Sequence, residues 1–294
     1  FKFFNGFTAT KPDSLDVLIC DEAHRIRESS VNRYTPRDQR SNLPQIDELL
    51  RIAKLNIFFL DENQIVRPNE TGNAAMIKEA ARRFGTDESE ITEFELKTQF
   101  RCSGSDAYLQ WIDKVLDIRG SDIAHFDPKM EFCIFDSPSK MMEENRARNQ
   151  DKENSARIVA GFCWPWSKPN VDGSLVKDVK IGDFEMPWEK KNEFWKWATD
   201  PSGMEQVGTI YTSQGFEFDY IGVIFGKDLV YDLTKQKWIV KPENSHDTMV
   251  TRNNTDLAMH LKNVYRVLMS RAHKGVYVYF MDKATEEYFK ANLN

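Results

Sequence analysis

Leu15-Asp16-Val17-Leu18-Ile19-Cys20-Asp21-Glu22-Ala23-His24 is the stretch that decides the fold class. A mostly apolar run of strand length that ends in adjacent carboxylates reads as a buried parallel strand. Such a strand delivers acids to the carboxyl edge of a sheet, where open α/β folds bind ligands. Two acids side by side allow a division of labour. One carboxylate orients a magnesium ion that bridges the β- and γ-phosphates of a nucleotide, and its neighbour polarises the attacking water. Asp21 suits the first part and Glu22 the second. Acidic pairs are also common at ordinary strand ends, so the remaining chain has to carry the reading further.

Outward from this stretch, strand and helix signals alternate. A helix is expected over 43–55, with Ile46, Leu49, Leu50 and Ala53 at helical spacing, then a second buried strand over 57–60 that ends in Asp61, Glu62, Asn63 and Gln64. An alanine-rich helix over 74–84, a strand near 94–96 and a helix over 103–118 complete an expected first domain at 1–120. The second domain, 121–294, shows strands at 131–135, 157–162, 206–211, 220–225 and 276–280. Its helices are expected at 141–152, starting from Ser137 or Ser139, and at 256–273, the latter ended by Gly275. A segment at about 164–201, rich in Pro, Gly, Lys and Trp, reads as an insertion containing a hairpin. Alternation of this kind implies an α/β fold with parallel sheets.

The 294 residues are 40% hydrophobic, include twenty phenylalanines and carry a net charge of −6. That balance argues against binding nucleic acid through a broad basic surface and leaves a local basic groove open. No run approaches the roughly 20 apolar residues that span a bilayer, and no signal peptide is seen, so no membrane partner and a cytoplasmic location are expected. Cys20, Cys102, Cys133 and Cys163 are widely spaced and read as reduced thiols rather than a zinc site. Trp164, Trp166, Trp188, Trp195 and Trp197 cluster with Lys168, Lys190, Lys191 and Lys196. Base stacking is one use for such a cluster, but core packing and interdomain contact are the preferred reading because large aromatics usually bury.

Three further stretches carry chemistry. Gln99-Phe100-Arg101 follows a strand candidate, and an arginine fork keeps its charge and binds phosphate oxygens bidentately. Thr209-Ile210-Tyr211-Thr212-Ser213-Gln214-Gly215-Phe216-Glu217-Phe218-Asp219 is a strand, a polar turn and a second strand, with Gly215 expected where a Cβ would be excluded. In Asn263-Val264-Tyr265-Arg266-Val267-Leu268-Met269-Ser270-Arg271-Ala272, residues Tyr265, Leu268, Met269 and Ala272 can share an apolar helix face, which leaves Arg271 off it. Arg266 reads as a structural ion pair. Read singly, Asp61 to Gln64 is also a polar loop and Arg101 an ordinary ion-pair partner.

In their order and spacing these motifs resemble a superfamily 1 helicase-type ATPase, and within it the Schlafen-like group 3 DNA/RNA helicase domain family. The resemblance runs from about Leu15 to Phe280. It implies two RecA-like parallel-sheet domains of the P-loop NTPase type. Asp21 to His24 takes the place of the Walker B acids, and Gln64 is the γ-phosphate sensor. Arg101 reaches towards the γ-phosphate. Gln214, Gly215 and Glu217 are the nucleotide-site candidates, with Glu217 contacting the nucleotide sugar or supporting the Gly215 turn, and Arg271 is the arginine finger, with Arg266 the runner-up, a role that contributes about 10³- to 10⁵-fold in rate. Ser270 stands where the family often has Thr, a departure that leaves Arg271 in place.

No GxxxxGK[ST] run exists in the chain; Gly226-Lys227-Asp228 lacks both the preceding glycine and the following hydroxyl. The family's P-loop lies upstream of the Walker B strand, and this chain opens at Phe1 shortly before that strand. The first domain is therefore expected to be truncated at its N-terminus. Cofactors ATP and Mg²⁺ are expected only with that loop, and these residues alone are expected to bind ATP weakly and to be inactive. The leading expectation is a fragment of an ATP-dependent nucleic-acid motor acting on single-stranded DNA or RNA. The alternative is a nucleotide-gated regulatory or assembly module without unwinding activity.

Overall fold

The computed structural model describes residues 2–32, 35–37, 40–96, 102, 105–118, 126–252 and 256–293. Its contacts divide the chain into two compact units, Phe1–Leu96 and Lys97–Asn294.

In the first unit, strand β1 (Leu15–Cys20) leads to helix α1 (Gln45–Leu50), strand β2 (Ala53–Phe58) and helix α2 (Ala74–Arg83). The strands pair in parallel, with Val17 opposite Leu55 and Ile19 opposite Ile57. Leu18 and Cys20 turn towards Ile46, Leu49 and Ala80 and form the core. The opposite face is uncovered, with Val17 47% and Ile19 61% exposed. Among the described residues the run expected to be a buried strand is covered on one face, because strand side chains alternate and the helices lie on one side. The helix expected over 43–55 stops early because the Leu15 N–H bonds the Ile52 carbonyl at 2.9 Å and draws Ala53 into the ladder. No strand forms over 94–96; Phe94 and Leu96 are both exposed. Asn73 caps α2 by accepting the Met76 N–H at 2.8 Å.

The second unit opens with α3 (Asp106–Val115), β3 (Glu131–Phe135), α4 (Pro138–Asp151) and β4 (Ala156–Ala160). A hairpin of β5 (Val179–Ile181) and β6 (Phe184–Met186) follows, then α5 (Phe194–Thr199), β7 (Val207–Gly208) and α6 (Ile210–Ser213). It continues through β8 (Phe218–Phe225), the hairpin of β9 (Leu229–Asp232) and β10 (Lys237–Val240), α7 (Thr248–Thr251), α8 (Leu257–Met269), β11 (Ala272–Phe280) and α9 (Lys283–Ala291). A five-stranded, wholly parallel sheet runs in the order β3-β11-β8-β4-β7. Parallel sheets need cover on both faces. One face carries α4 and the β5–β6 hairpin through Met141, Ile158, Phe184 and Trp188. An aromatic cluster containing Phe225, Tyr265, Phe280 and Phe289 joins the sheet to α8 and α9.

Helix α3 belongs to this second unit. Its Tyr108 hydroxyl donates to the Met269 carbonyl at 3.1 Å, Trp111 Nε1 donates to the Asn292 carbonyl at 2.8 Å, and Asp113 pairs with Arg266. Arg266 is thus a structural ion pair, buried with its partner. Helix α8 is shorter than the expected 256–273, because Ala272 already pairs with Phe218 in β11 and Gly275 lies within that strand. Trp164, Trp188 and Trp197 are buried, as core packing requires, whereas Trp195 is half exposed. The four cysteines are free thiols, and burial pushes the Cys20 thiol up to about 12. Among the described residues no helix is long and apolar enough to cross a membrane.

Candidate functional site

In the first unit the two motifs at the strand ends meet. The Phe59 N–H bonds the Cys20 carbonyl at 2.9 Å, and the Ala23 N–H bonds the Phe59 carbonyl at 2.7 Å. The parallel pairing thus extends into the acidic turn and fixes it beside Asp61. Asp21 is exposed, and its Oδ1 accepts the Glu22 N–H at 3.0 Å. Glu22 takes a left-handed backbone, φ 53° and ψ 43°, which is uncommon for a residue with a side chain and costs about 1–2 kcal/mol. That turn brings Glu22 Oε2 to 3.1 Å from Nε2 of His24, a buried ring. The Asp61 N–H approaches His24 Nδ1 at 3.5 Å, so the ring lies between Glu22 and Asp61. Gln64, also buried, donates from Nε2 to Asp61 Oδ2 at 3.0 Å. Glu22, His24, Asp61 and Gln64 form one connected polar row at the carboxyl ends of β1 and β2.

Two residues that sequence reading passed over complete this corner. At Gly72 an added Cβ would lie 1.9 Å from the Ala23 carbonyl oxygen and 2.9 Å from His24 Cα. The Thr71 and Gly72 N–H groups both bond the Ile26 carbonyl, at 2.7 and 3.2 Å. Glu70, buried, accepts the Val66 and Arg67 N–H groups at 3.2 Å each. The close approach joins residues nearly fifty positions apart, a relation that no local sequence pattern encodes.

Gln99, Phe100 and Arg101 lie outside the described residues. Their neighbour Cys102 is buried, with its thiol 3.9 Å from the Ser270 carbonyl.

In the second unit the turn after β7 and the corner between α8 and β11 come together. Arg271 is 1% exposed. It donates from Nη1 to the Gln214 carbonyl at 3.0 Å, from Nε to the Val267 carbonyl at 3.1 Å and from Nη2 to Ser270 Oγ at 3.4 Å. It stands off the apolar face of α8 yet is buried in the corner beyond the helix, where it fastens the Gln214 turn. Glu217 faces His273, with Oε2 to Nε2 at 3.1 Å. Gly215 differs from its expected reason. Among the described residues an added Cβ there would meet no atom within 4 Å, and its backbone is not left-handed.

Sequence reading also missed Glu189. Its fully buried carboxylate accepts the Thr209 N–H at 3.0 Å, Thr209 Oγ1 at 2.8 Å and Thr212 Oγ1 at 2.7 Å. By taking the Thr209 N–H it ends β7 after Gly208 and starts α6, so the strand expected over 206–211 is only two residues long. Burial pushes the Glu189 carboxyl above its usual 4.5, against the pull of the threonine donors. A raised folded-state pKa means tighter proton binding in the folded state. The resulting stabilisation is fully present below about 4.5 and is lost as pH rises through the raised value. Glu189→Gln is expected to remove this term, so the stability difference between wild type and variant will change with pH in that window. Urea unfolding at several pH values checks it, and a difference that is constant with pH contradicts it.

The residues fit a magnesium–nucleotide in part. Magnesium is usually held by one or two carboxylates together with substrate phosphates and water, and exposed Asp21 offers one carboxylate at a strand end. Among the described residues no group of three or more acidic, histidine or cysteine ligands gathers. The sequence contains no Walker A loop to cradle phosphates.

Comparison with known proteins adds a lineage to this geometry. The chain is 25% identical over 334 aligned residues to Uncharacterized protein YPL245W of Saccharomyces cerevisiae, covering 98% of this chain and 69% of that protein. Two solved structures of S. cerevisiae Dbp5 bound to RNA and ADP BeF3, one of them a variant, match at 13% and 11% identity with TM-scores of 0.25 and 0.26. This chain spans 56% and 57% of those chains, with 94% and 96% of its own length covered, and at such TM-scores the likeness carries no argument. The family model for the Schlafen group 3 DNA/RNA helicase domain matches residues 2–282. With nearly its whole length matched, the chain belongs to the Schlafen group 3 DNA/RNA helicase domain family.

Proposed function

We propose that this chain forms part of an ATP-dependent motor that acts on single-stranded DNA or RNA, built from two RecA-like halves. The observation that carries the reading is the row Glu22, His24, Asp61 and Gln64, which joins the acidic motif to the sensor motif at the carboxyl ends of two parallel strands. When bound, magnesium–ATP supplies the transferable phosphoryl group and a cation that neutralises its charge. Asp21 would hold that cation. Glu22 orients and polarises the attacking water, its carboxylate aimed by the left-handed backbone and by His24. Gln64 would contact the γ-phosphate, and its bond to Asp61 ties it to the turn after β2. Within the second unit Gln214, Gly215 and Glu217 would support nucleotide binding, and Arg101 and Arg271 would supply cationic charge for the transition state, Arg271 once released from the carbonyls that hold it here.

Hydrolysis of ATP by the full-length natural protein, measured with and without single-stranded DNA or RNA, tests this reading. Stimulation by a strand is the expected result. Hydrolysis indifferent to nucleic acid points to a nucleotide-gated switch, and no hydrolysis at all overturns the ATPase assignment.

A further inference from the structure

The insertion between β4 and β7 buries half of its aromatic rings and leaves two at the surface. Trp197 anchors α5: its indole donates to the Gln206 carbonyl at 3.2 Å, stacks edge-on against Phe218 and fills the space above Gly208. With Trp197 and Ala198 facing inward, the other side of this short helix presents Phe194, 43% exposed, and Trp195, 49% exposed. Their ring centroids are 5.3 Å apart at 77°. Isolated surface aromatics are ordinary, but here an edge-to-face pair stands among cations. Lys190 and Lys196 share one carboxylate, Glu193, each at 3.0 Å, while the Lys191 ammonium lies 4.5 Å over the Trp166 ring. Three cations therefore share one acid along 190–196, on a chain whose net charge is −6. A flat ring pair beside an excess of positive charge complements a polymer of flat rings joined by phosphates.

We propose that Phe194 and Trp195, with Lys190, Lys191 and Lys196, form a docking ledge for a single strand of nucleic acid, its bases stacked on Trp195 and its phosphates on the lysines. The inference rests on the motor reading, since it names where the strand lies. It revises the preference for core packing at one tryptophan of the cluster and keeps it for the buried ones. The ledge takes no part in nucleotide hydrolysis, so strand binding is measured without ATP.

The test uses the 294-residue chain and labelled oligothymidine and oligouridine of roughly a dozen nucleotides, read by fluorescence anisotropy. Trp195→Ala is expected to weaken binding about five- to a hundred-fold, the loss of one stacked base, while Trp195→Phe retains most of it. Lys190→Glu with Lys191→Glu should weaken binding and flatten its dependence on salt. Thermal melting of each variant confirms the fold. If wild type binds a strand and Trp195→Ala binds equally well, the ledge is wrong and the motor reading stands. If wild type binds neither strand, the ledge is overturned, and the motor reading is decided separately by strand-stimulated hydrolysis in the full-length protein. If polyglutamate displaces the strand and binds Trp195→Ala as well as wild type, the surface takes acidic polypeptide and the proposal is overturned.

Discussion

Replacing Arg271 with alanine is expected to destabilise the second unit by about 3 kcal/mol, because it removes a buried cation whose donors hold two backbone carbonyls. The Gln214 carbonyl loses its tie to the corner between α8 and β11, and the guanidinium volume becomes a cavity. All seven tryptophans lie between residues 111 and 238, so tryptophan-detected urea unfolding reports on this unit. The finger role proposed for Arg271 predicts a further loss of about 10³- to 10⁵-fold in hydrolysis by the full-length protein. Arg271→Lys tests how far the charge alone suffices. Lysine keeps the charge but cannot reproduce the planar fork that reaches Gln214, Val267 and Ser270 together. A melt within about 0.5 kcal/mol of wild type for Arg271→Ala would contradict the fastening role.

Gly72→Ala is expected to cost the first unit about 2–3 kcal/mol by overpacking. The new Cβ would meet the Ala23 carbonyl and the His24 Cα, which are backbone atoms of the acidic turn and have no rotamer to change. Relief requires moving either the turn that sets Glu22 or the loop whose N–H groups bond the Ile26 carbonyl. Cys20 gives a local readout. It is 1% exposed, and its thiol is pushed up to about 12, so it resists alkylation while the unit is folded. Labelling of Cys20, followed by mass spectrometry, should speed up about 30- to 150-fold in the variant, the kinetic equivalent of that destabilisation. Gly215→Ala is the matched control and is expected to leave stability within about 0.5 kcal/mol, since its added Cβ meets no described atom. Equal labelling rates for wild type and Gly72→Ala would show that the turn is not clamped there.

Sequence reading reached the parallel α/β architecture through features that are local. The run Leu15 to Cys20, the Ser137 cap of α4 and the strand Glu131 to Phe135 each carry their signal within a few residues. The same local logic misjudged the faces of β1, because an apolar run does not say whether one side or both will be covered. It overextended α8, since residues after Met269 keep a helical pattern until pairing with Phe218 claims Ala272. The candidate site divides in the same way. Asp21, Glu22, Asp61 and Gln64 are legible because each follows a strand signal directly. Glu189, twenty residues before Thr209 in an irregular insertion, has nothing local to distinguish it from other surface acids, and only the fold reveals that it holds the turn. Gly72 is illegible for the same reason, its constraint being a backbone that arrives from Ala23. Gly215 is the converse case: no atom of the described chain crowds it, so its place in the motif is read from the resemblance alone.

The measurement that bears most directly on the central claim is strand-stimulated ATP hydrolysis by the full-length protein carrying Glu22→Gln, beside wild type. This substitution keeps the size of the side chain and removes the charge proposed to polarise water. The account predicts that stimulated hydrolysis falls by at least about a hundred-fold, in line with loss of a general base, while nucleotide binding is retained. Hydrolysis at the wild-type rate would show that the turn after β1 is not the catalytic centre and would contradict the account.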